Sequence, residues 1–190
     1  MQSCTEDGMF EDPDFPLNKS VLNVKKLGPY SPEPEWVRVL DFANRLQKSP
    51  ILVPDAPIEK SDVHQGDMPN CWLIPGLSAL NNYPELLKKI VPDQNLFEDG
   101  KVKINLWNFG KWEENIIDDR IPIKNHDEHY GAKSSEAQVF WPPLLEKAFA
   151  KYCKGYTKGL LPHDAMTLLT GGLCETICLS KVTIFIMLKS

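Results

Sequence analysis

This 190-residue chain has no excess of basic residues, no long apolar run and no regular spacing among its cysteines. Its 21 Lys and Arg are outnumbered by 26 Asp and Glu, for a formal charge of −5. Nonspecific nucleic-acid binding, which needs a basic surface, is therefore not expected. The longest mostly apolar stretch, Val182–Leu188, has seven residues, whereas a membrane-spanning helix needs about 20. The first eight residues, Met-Gln-Ser-Cys-Thr-Glu-Asp-Gly, have an acidic balance and no apolar core, so no secretory signal is expected. The five cysteines, at positions 4, 71, 153, 174 and 178, do not form a disulfide framework and fit a reduced, intracellular and cytoplasmic setting. Cys174 and Cys178 lack the second ligand pair that a zinc site requires. His126-Asp127-Glu128-His129 reads as a solvated loop, and no internal repeat is present.

The remaining composition, 42% hydrophobic and 25% charged, is that of an ordinary globular chain, one domain or one lobe of a larger unit. Eight of the sixteen prolines fall in the first 60 residues, which predicts an extended segment wrapped around a core. Within it, the spacing of Trp36, Val39, Leu40, Ala43 and Leu46 predicts one short helix. A second helix is expected from Cys71 to about Asn81, and a third from Glu85 to Val91 behind Pro84. Alternation over Lys101–Leu106 predicts a strand, with a turn at 108–111 and a return strand over Trp112–Asp118. There, Asp118-Asp119-Arg120 closes the strand with an internal ion pair. Residues 125–131 read as a polar loop. A helix with Leu144, Leu145, Ala148, Phe149 and Tyr152 on one face follows Trp141-Pro142-Pro143. Asp164 caps a last helix that Gly171 stops.

Chemistry concentrates in Gln65-Gly66-Asp67-Met68-Pro69-Asn70-Cys71-Trp72-Leu73. A free thiol has a pKa of about 8.5, and the thiolate is the nucleophile. A cysteine that opens a helix meets free N–H groups and a partial positive charge, which favour the anion. Asn70 suits the cap of such a helix. The Gln65 amide and the Cys71 N–H would make two oxyanion donors, one of which is worth about 3–4 kcal/mol in known cases. The alternative is a structural cysteine serving as a small hydrophobe. Pro75 weakens the helix reading, because it has no N–H to give the Cys71 carbonyl, and Gly76 adds a further helix penalty.

This segment resembles the active-site motif of the calpain family of cysteine endopeptidases, with Asn70 where that family usually has Asp, and Pro75-Gly76 where it usually has two alanines. Other ordered matches are Phe10–Pro16, Trp36-Val37-Arg38, Phe109-Gly110-Lys111-Trp112, Ile117–Pro122, Phe140-Trp141, Leu144–Lys151 and Thr170-Gly171-Gly172. The resemblance implies an α+β fold, mainly α, the first subdomain of a papain-like calpain core behind an extended N-terminal segment. Residues 1–50 would be that anchor, 51–175 the subdomain, and 176–190 a divergent apolar tail. Cys71 would be the nucleophile and Gln65 the oxyanion donor of a calcium-dependent endopeptidase acting on protein substrates. The family's catalytic His and Asn lie in a second subdomain. None of the four histidines (64, 126, 129, 163) stands in a matching segment, although His64 adjoins Gln65. The chain is thus expected to be a truncated, nucleophile-bearing half, inactive without a complementary subdomain. The alternative is a non-catalytic binding or regulatory fragment. The resemblance also places a calcium ligand at Asp62. It expects a second carboxylate directly before Phe140, where Val139 stands. Glu136 is the candidate substitute, and the site is expected to be weakened.

Overall fold

The computed structural model describes residues 8–22, 34–55, 63–92, 99–156 and 160–175. In chain order the elements are α1 (Lys19–Leu22), β1 (Glu35–Arg38), α2 (Val39–Arg45), β2 (Val63–His64), α3 (Ile74–Leu80), α4 (Pro84–Ile90), β3 (Lys101–Asn108), β4 (Lys111–Asp118), β5 (Arg120–Lys124), β6 (Glu128–His129), β7 (Lys133–Ser134), α5 (Trp141–Tyr152) and α6 (Pro162–Thr170). All strand pairs are antiparallel: β1–β5–β6 form one sheet, β2–β7 and β3–β4 two more. The apolar tail, including Val182–Leu188, lies outside the described residues.

Helices and strands are mixed, and the expected helical predominance is not found. One reason is proline. It occupies the first turn of α3, α4, α5 and α6, where its missing N–H costs nothing. It also fixes each start, so α3 and α4 are seven residues long. The other reason is pairing between distant segments. The helix expected from Trp36 begins only at Val39, because Glu35–Arg38 is held as a strand against Arg120–Ile123.

The β3–β4 hairpin follows its pattern. Val102, Ile104 and Leu106 are buried while Lys101, Lys103 and Asn105 point outward. Its two-residue loop holds Phe109 at φ 44° and Gly110 at φ 87°, the primed-turn geometry that matches strand twist. Asp118 and Arg120 form the anticipated ion pair at the strand end, 3.1 Å apart. α6 stops at Gly171 as expected, in the left-handed conformation at φ 71°, but it starts earlier than Asp164: Leu161 is the N-cap, and Asp164, inside the first turn, accepts the Leu161 N–H at 2.9 Å.

α5 is the centre of the packing. Every residue from Trp141 to Ala150 is buried, Glu146 and Lys147 included. It touches the β3–β4 hairpin, β5 and β7. Lys147 is fully buried, and its Nζ donates to Asp118 Oδ1 (2.6 Å), the Asp118 carbonyl (2.9 Å) and the Arg120 carbonyl (2.7 Å). Burial would raise the Asp118 carboxyl, but Lys147 and Arg120 hold it well below the usual range. The N-terminal segment docks on the same cluster. The Asp12 N–H donates to Asp118 Oδ2, Lys151 pairs with Asp12 at 2.8 Å, Arg120 with Glu11 at 2.7 Å, and Arg38 with Asp119 at 2.5 Å. Phe10 and Phe15 bury their rings alongside.

Removing one partner of a buried pair costs about 3–5 kcal/mol, because the other charge stays buried. Lys147→Met should therefore lose stability on that scale in urea denaturation. Lys103→Met, at a half-exposed pair with Glu114, should stay within about 0.5 kcal/mol.

Candidate active site

Cys71 is exposed at the first position of a turn, 71–73, that runs into α3. The expected helix start at Cys71 is corrected to Ile74. The Asn70 carbonyl accepts the N–H of Leu73 (2.8 Å) and of Ile74 (3.3 Å), so Asn70 does open the turn. Pro75 then offers no N–H to the Cys71 carbonyl, and the regular ladder resumes with the Leu77 N–H on Leu73. Gly76 lies at the crossing with α6, where a Cβ would come within 3.2 Å of Leu169. Trp72 lies edge-on to Phe149, with 5.8 Å between ring centroids.

Gln65 is exposed, and its Nε2 donates to the Met68 carbonyl at 2.7 Å. Its loop is seated on the segment Tyr130-Gly131-Ala132. β2 pairs Val63 with Ser134 and His64 with Lys133. The Asp67 N–H donates to the Tyr130 carbonyl at 2.8 Å. A Cβ on Gly66 would overlap the carbonyl oxygens of Tyr130 and Gly131, so only glycine fits there.

The Cys71 turn reaches the same segment through a side chain. The Asn70 amide, 2% exposed, donates to Glu146 Oε1. Glu146 Oε2 accepts the Ala132 N–H at 2.8 Å. A Cβ on Gly131 would overlap this carboxyl group. Burial pushes Glu146 up to about 7, against the opposing pull of Ala132 and Asn70. In the sequence pattern Glu146 is one polar residue of an amphipathic helix. The available signal was the adjacent pair Glu146-Lys147 between Leu145 and Ala148.

Asp62 lies outside the described residues. The Val139 side chain is buried, and its residue bridges to Ile51. The Glu136 carboxylate receives the Gln138 amide at 3.1 Å. Among the described residues no group of three or more His, Cys, Asp or Glu is placed to hold a metal ion. The 125–131 segment is only partly the polar loop expected. β6 pairs with β5, and His129 is buried against Phe42 and Phe140. Burial pushes its imidazole down to about 4. His64 is exposed, and His163 pairs with Asp164 on α6.

Two surface clefts lie elsewhere. One of about 390 Å³ is lined by Trp107, Phe109, Tyr152 and Leu168. One of about 290 Å³ is lined by Gly76, Leu80, Tyr83, Met166 and Leu169. Cys71 and Gln65 line neither.

The family model for calpain family cysteine proteases matches residues 10–189. Calpain-12 of Mus musculus is 34% identical over 191 residues, covering 96% of this chain and 26% of its own length. The calpain-1 catalytic subunit of Gallus gallus is 33% identical over 189 residues (95% and 26%). The calpain-2 catalytic subunit of Homo sapiens is 33% identical over 187 residues (94% and 26%). The chain thus spans about a quarter of the length of these relatives.

Gly66→Ala drives a methyl group into two backbone carbonyls. The substitution should cost about 1–3 kcal/mol, the scale of overpacking, in urea denaturation. Unchanged stability would mean that the Gln65 loop is not seated on 130–132.

Proposed function

The chain belongs to the calpain family of cysteine proteases, and on that footing we propose that it carries the nucleophile-bearing half of a papain-like cysteine endopeptidase core acting on protein substrates. The observation that carries this reading is that residues 130–132 support the Gln65 loop directly and are joined to the Cys71 turn through the Glu146 carboxyl. These are the two pieces that acyl transfer to a thiol requires on this side of a substrate.

In the proposed reaction the Cys71 thiolate attacks the scissile carbonyl carbon. A C–S bond forms, and the electron pair moves onto oxygen. The Cys71 N–H and the Gln65 amide receive that oxyanion. For this the Gln65 amide must leave the Met68 carbonyl, a rotation within an exposed loop. The C–N bond then breaks once a proton reaches the leaving nitrogen, which requires a general acid that earlier served as base. His129 is buried between aromatic rings, His64 is held on β2 opposite Lys133, the His126 carbonyl accepts from Arg45 in the β5–β6 turn, and His163 lies in the first turn of α6. We therefore assign the base, its orienting group and the second wall of the substrate cleft to a complementary subdomain. The cytoplasm is the proposed setting; no helix among the described residues is long and apolar enough to cross a membrane.

Calcium is the metal that the family implies. It takes six to eight oxygen ligands and gains affinity from carboxylate charge. The described residues at the expected place do not fit. Val139 contributes a buried isopropyl group, and Glu136 is engaged by Gln138.

Two outcomes are expected. The purified 190-residue chain should not cleave casein, with or without calcium, because removing a member of a catalytic unit costs orders of magnitude. Mixing it with a separately expressed second subdomain of a complete calpain should yield cleavage that Cys71→Ala abolishes. Turnover by the chain alone, lost in Cys71→Ala, would overturn the half-site reading. In addition, millimolar calcium should leave the melting temperature unchanged, and a clear upward shift would relocate the cation site.

A further inference from the structure

We propose that Glu146 is the positioning residue of this half-site, locking the Cys71 turn and the Gln65 loop in register through one carboxyl group. The inference rests on the reading of Cys71 as nucleophile only for its catalytic consequence; the lock itself is a property of the fold.

Each oxygen of Glu146 has one partner: Oε1 accepts from the Asn70 side chain, Oε2 from the Ala132 N–H. Asn70 is joined to Cys71 by a single peptide bond, and its carbonyl starts the turn that Cys71 occupies. Ala132 ends the segment on which Gly66 and Asp67 rest. This carboxyl therefore ties the Cys71 turn to the support of the Gln65 loop, beside the direct link at the Met68 carbonyl, which accepts both the Gln65 amide and the Asn70 N–H. α5 supplies it from a helix buried on all sides, so the carboxyl cannot follow the motion of either loop. Gly131 leaves the space it needs.

The direction of the Asn70 bond is informative. An ionised carboxylate only accepts hydrogen bonds, and an Asn amide can donate. The pair is therefore satisfied with Glu146 charged and needs no shared proton. Asp at position 70 would set two carboxyls face to face, and one would have to hold a proton. Other groups face Glu146 from the 153–156 turn. Cys153 and Tyr156 line the same small cavity as Asn70 and Glu146. The Tyr156 hydroxyl is buried without a partner, and its phenol is pushed well above the ordinary range, first by burial and then by the Glu146 charge. Lys147, next in the chain, is taken up by Asp118 and Arg120.

The test uses the full chain and a hydrogen-bond swap. Asn70→Asp/Glu146→Gln keeps both bonds with the Asn70 bond reversed, whereas Asn70→Asp alone opposes two carboxyls. Iodoacetamide labelling of folded protein is mapped by mass spectrometry, with exposed Cys174 as internal reference. In the wild type, the Cys71-to-Cys174 rate ratio should change across pH 7. Asn70→Asp should shift the ratio about tenfold at pH 7, the scale of one hydrogen bond to a charged group. The swap should bring the ratio back towards the wild-type value, and Glu146→Gln alone, which leaves no carboxyl in the pair, should abolish the inflection near pH 7.

Unfolding free energy gives an independent readout. A carboxyl with its folded pKa raised from 4.5 to about 7 adds stability at low pH that is lost as pH rises through 7. His129, with its folded pKa lowered, acts in the opposite sense below about 6.5. The difference between the wild type and Glu146→Gln cancels His129 and isolates Glu146. No recovery in the swap, failure of the swap to fold, or a flat wild-type difference profile would each overturn the lock. If Cys71 is unreactive in the wild type but the difference profile falls across pH 7, the lock stands and the nucleophile reading fails.

Discussion

Lys147 puts an ammonium group where solvent does not reach, and the rest of the frame is arranged to receive it. A buried charge without partners is too costly to persist. Here three oxygens surround the nitrogen, contributed by the end of β4 and the start of β5. That fixes the β3–β4 hairpin and β5 against α5. Asp118, Asp119 and Arg120 in turn receive the N-terminal segment through Asp12, Glu11 and Arg38. The proline-rich start of the chain thus docks by charge pairing as well as by its two buried phenylalanines. Such a cluster adds little net stability compared with an apolar one, but it fails badly when one member is lost.

One residue earlier, Glu146 serves a different side of the same helix. Consecutive residues on a helix project about 100° apart. Two adjacent charges on a helix surrounded by protein can therefore meet two different partners. Lys147 joins the frame and Glu146 joins the loops that carry the candidate chemistry. This division depends on α5 being rigid and enclosed, and its uninterrupted buried stretch from Trp141 to Ala150 provides that.

The Cys71 turn is the part least served by regular structure. α3 begins after it, because Pro75 withholds an N–H from the Cys71 carbonyl. The thiol therefore precedes a short helix instead of opening a long one, and side-chain anchoring through Asn70 replaces part of the backbone anchoring. Gly76 has a separate cause: it lets α6 approach closely, with Leu169 and Met166 against the bare backbone.

Local chemistry was legible in the sequence wherever its cause was local. The Lys101–Asp118 hairpin follows from alternation and an Asn-Phe-Gly-Lys turn, the starts of α4 and α5 from proline, and the end of α6 from Gly171. The Asp118–Arg120 pair was legible for the same reason, since its partners are two positions apart. Tertiary structure decided the rest. Trp36 fits the helical spacing of Val39, Leu40 and Ala43, yet its strand partner is Pro122. His129 sits in a polar tetrapeptide, yet Phe42 and Phe140 close over it. Glu146 and Lys147 have the same charges as any surface pair, and only the elements packed around α5 bury them. Burial is a property of what surrounds a residue, and those surroundings come from segments tens of residues away. The sequence by itself determined which groups were available. The fold decided which of them lost their water and so became the ones that hold Cys71 and Gln65 in place.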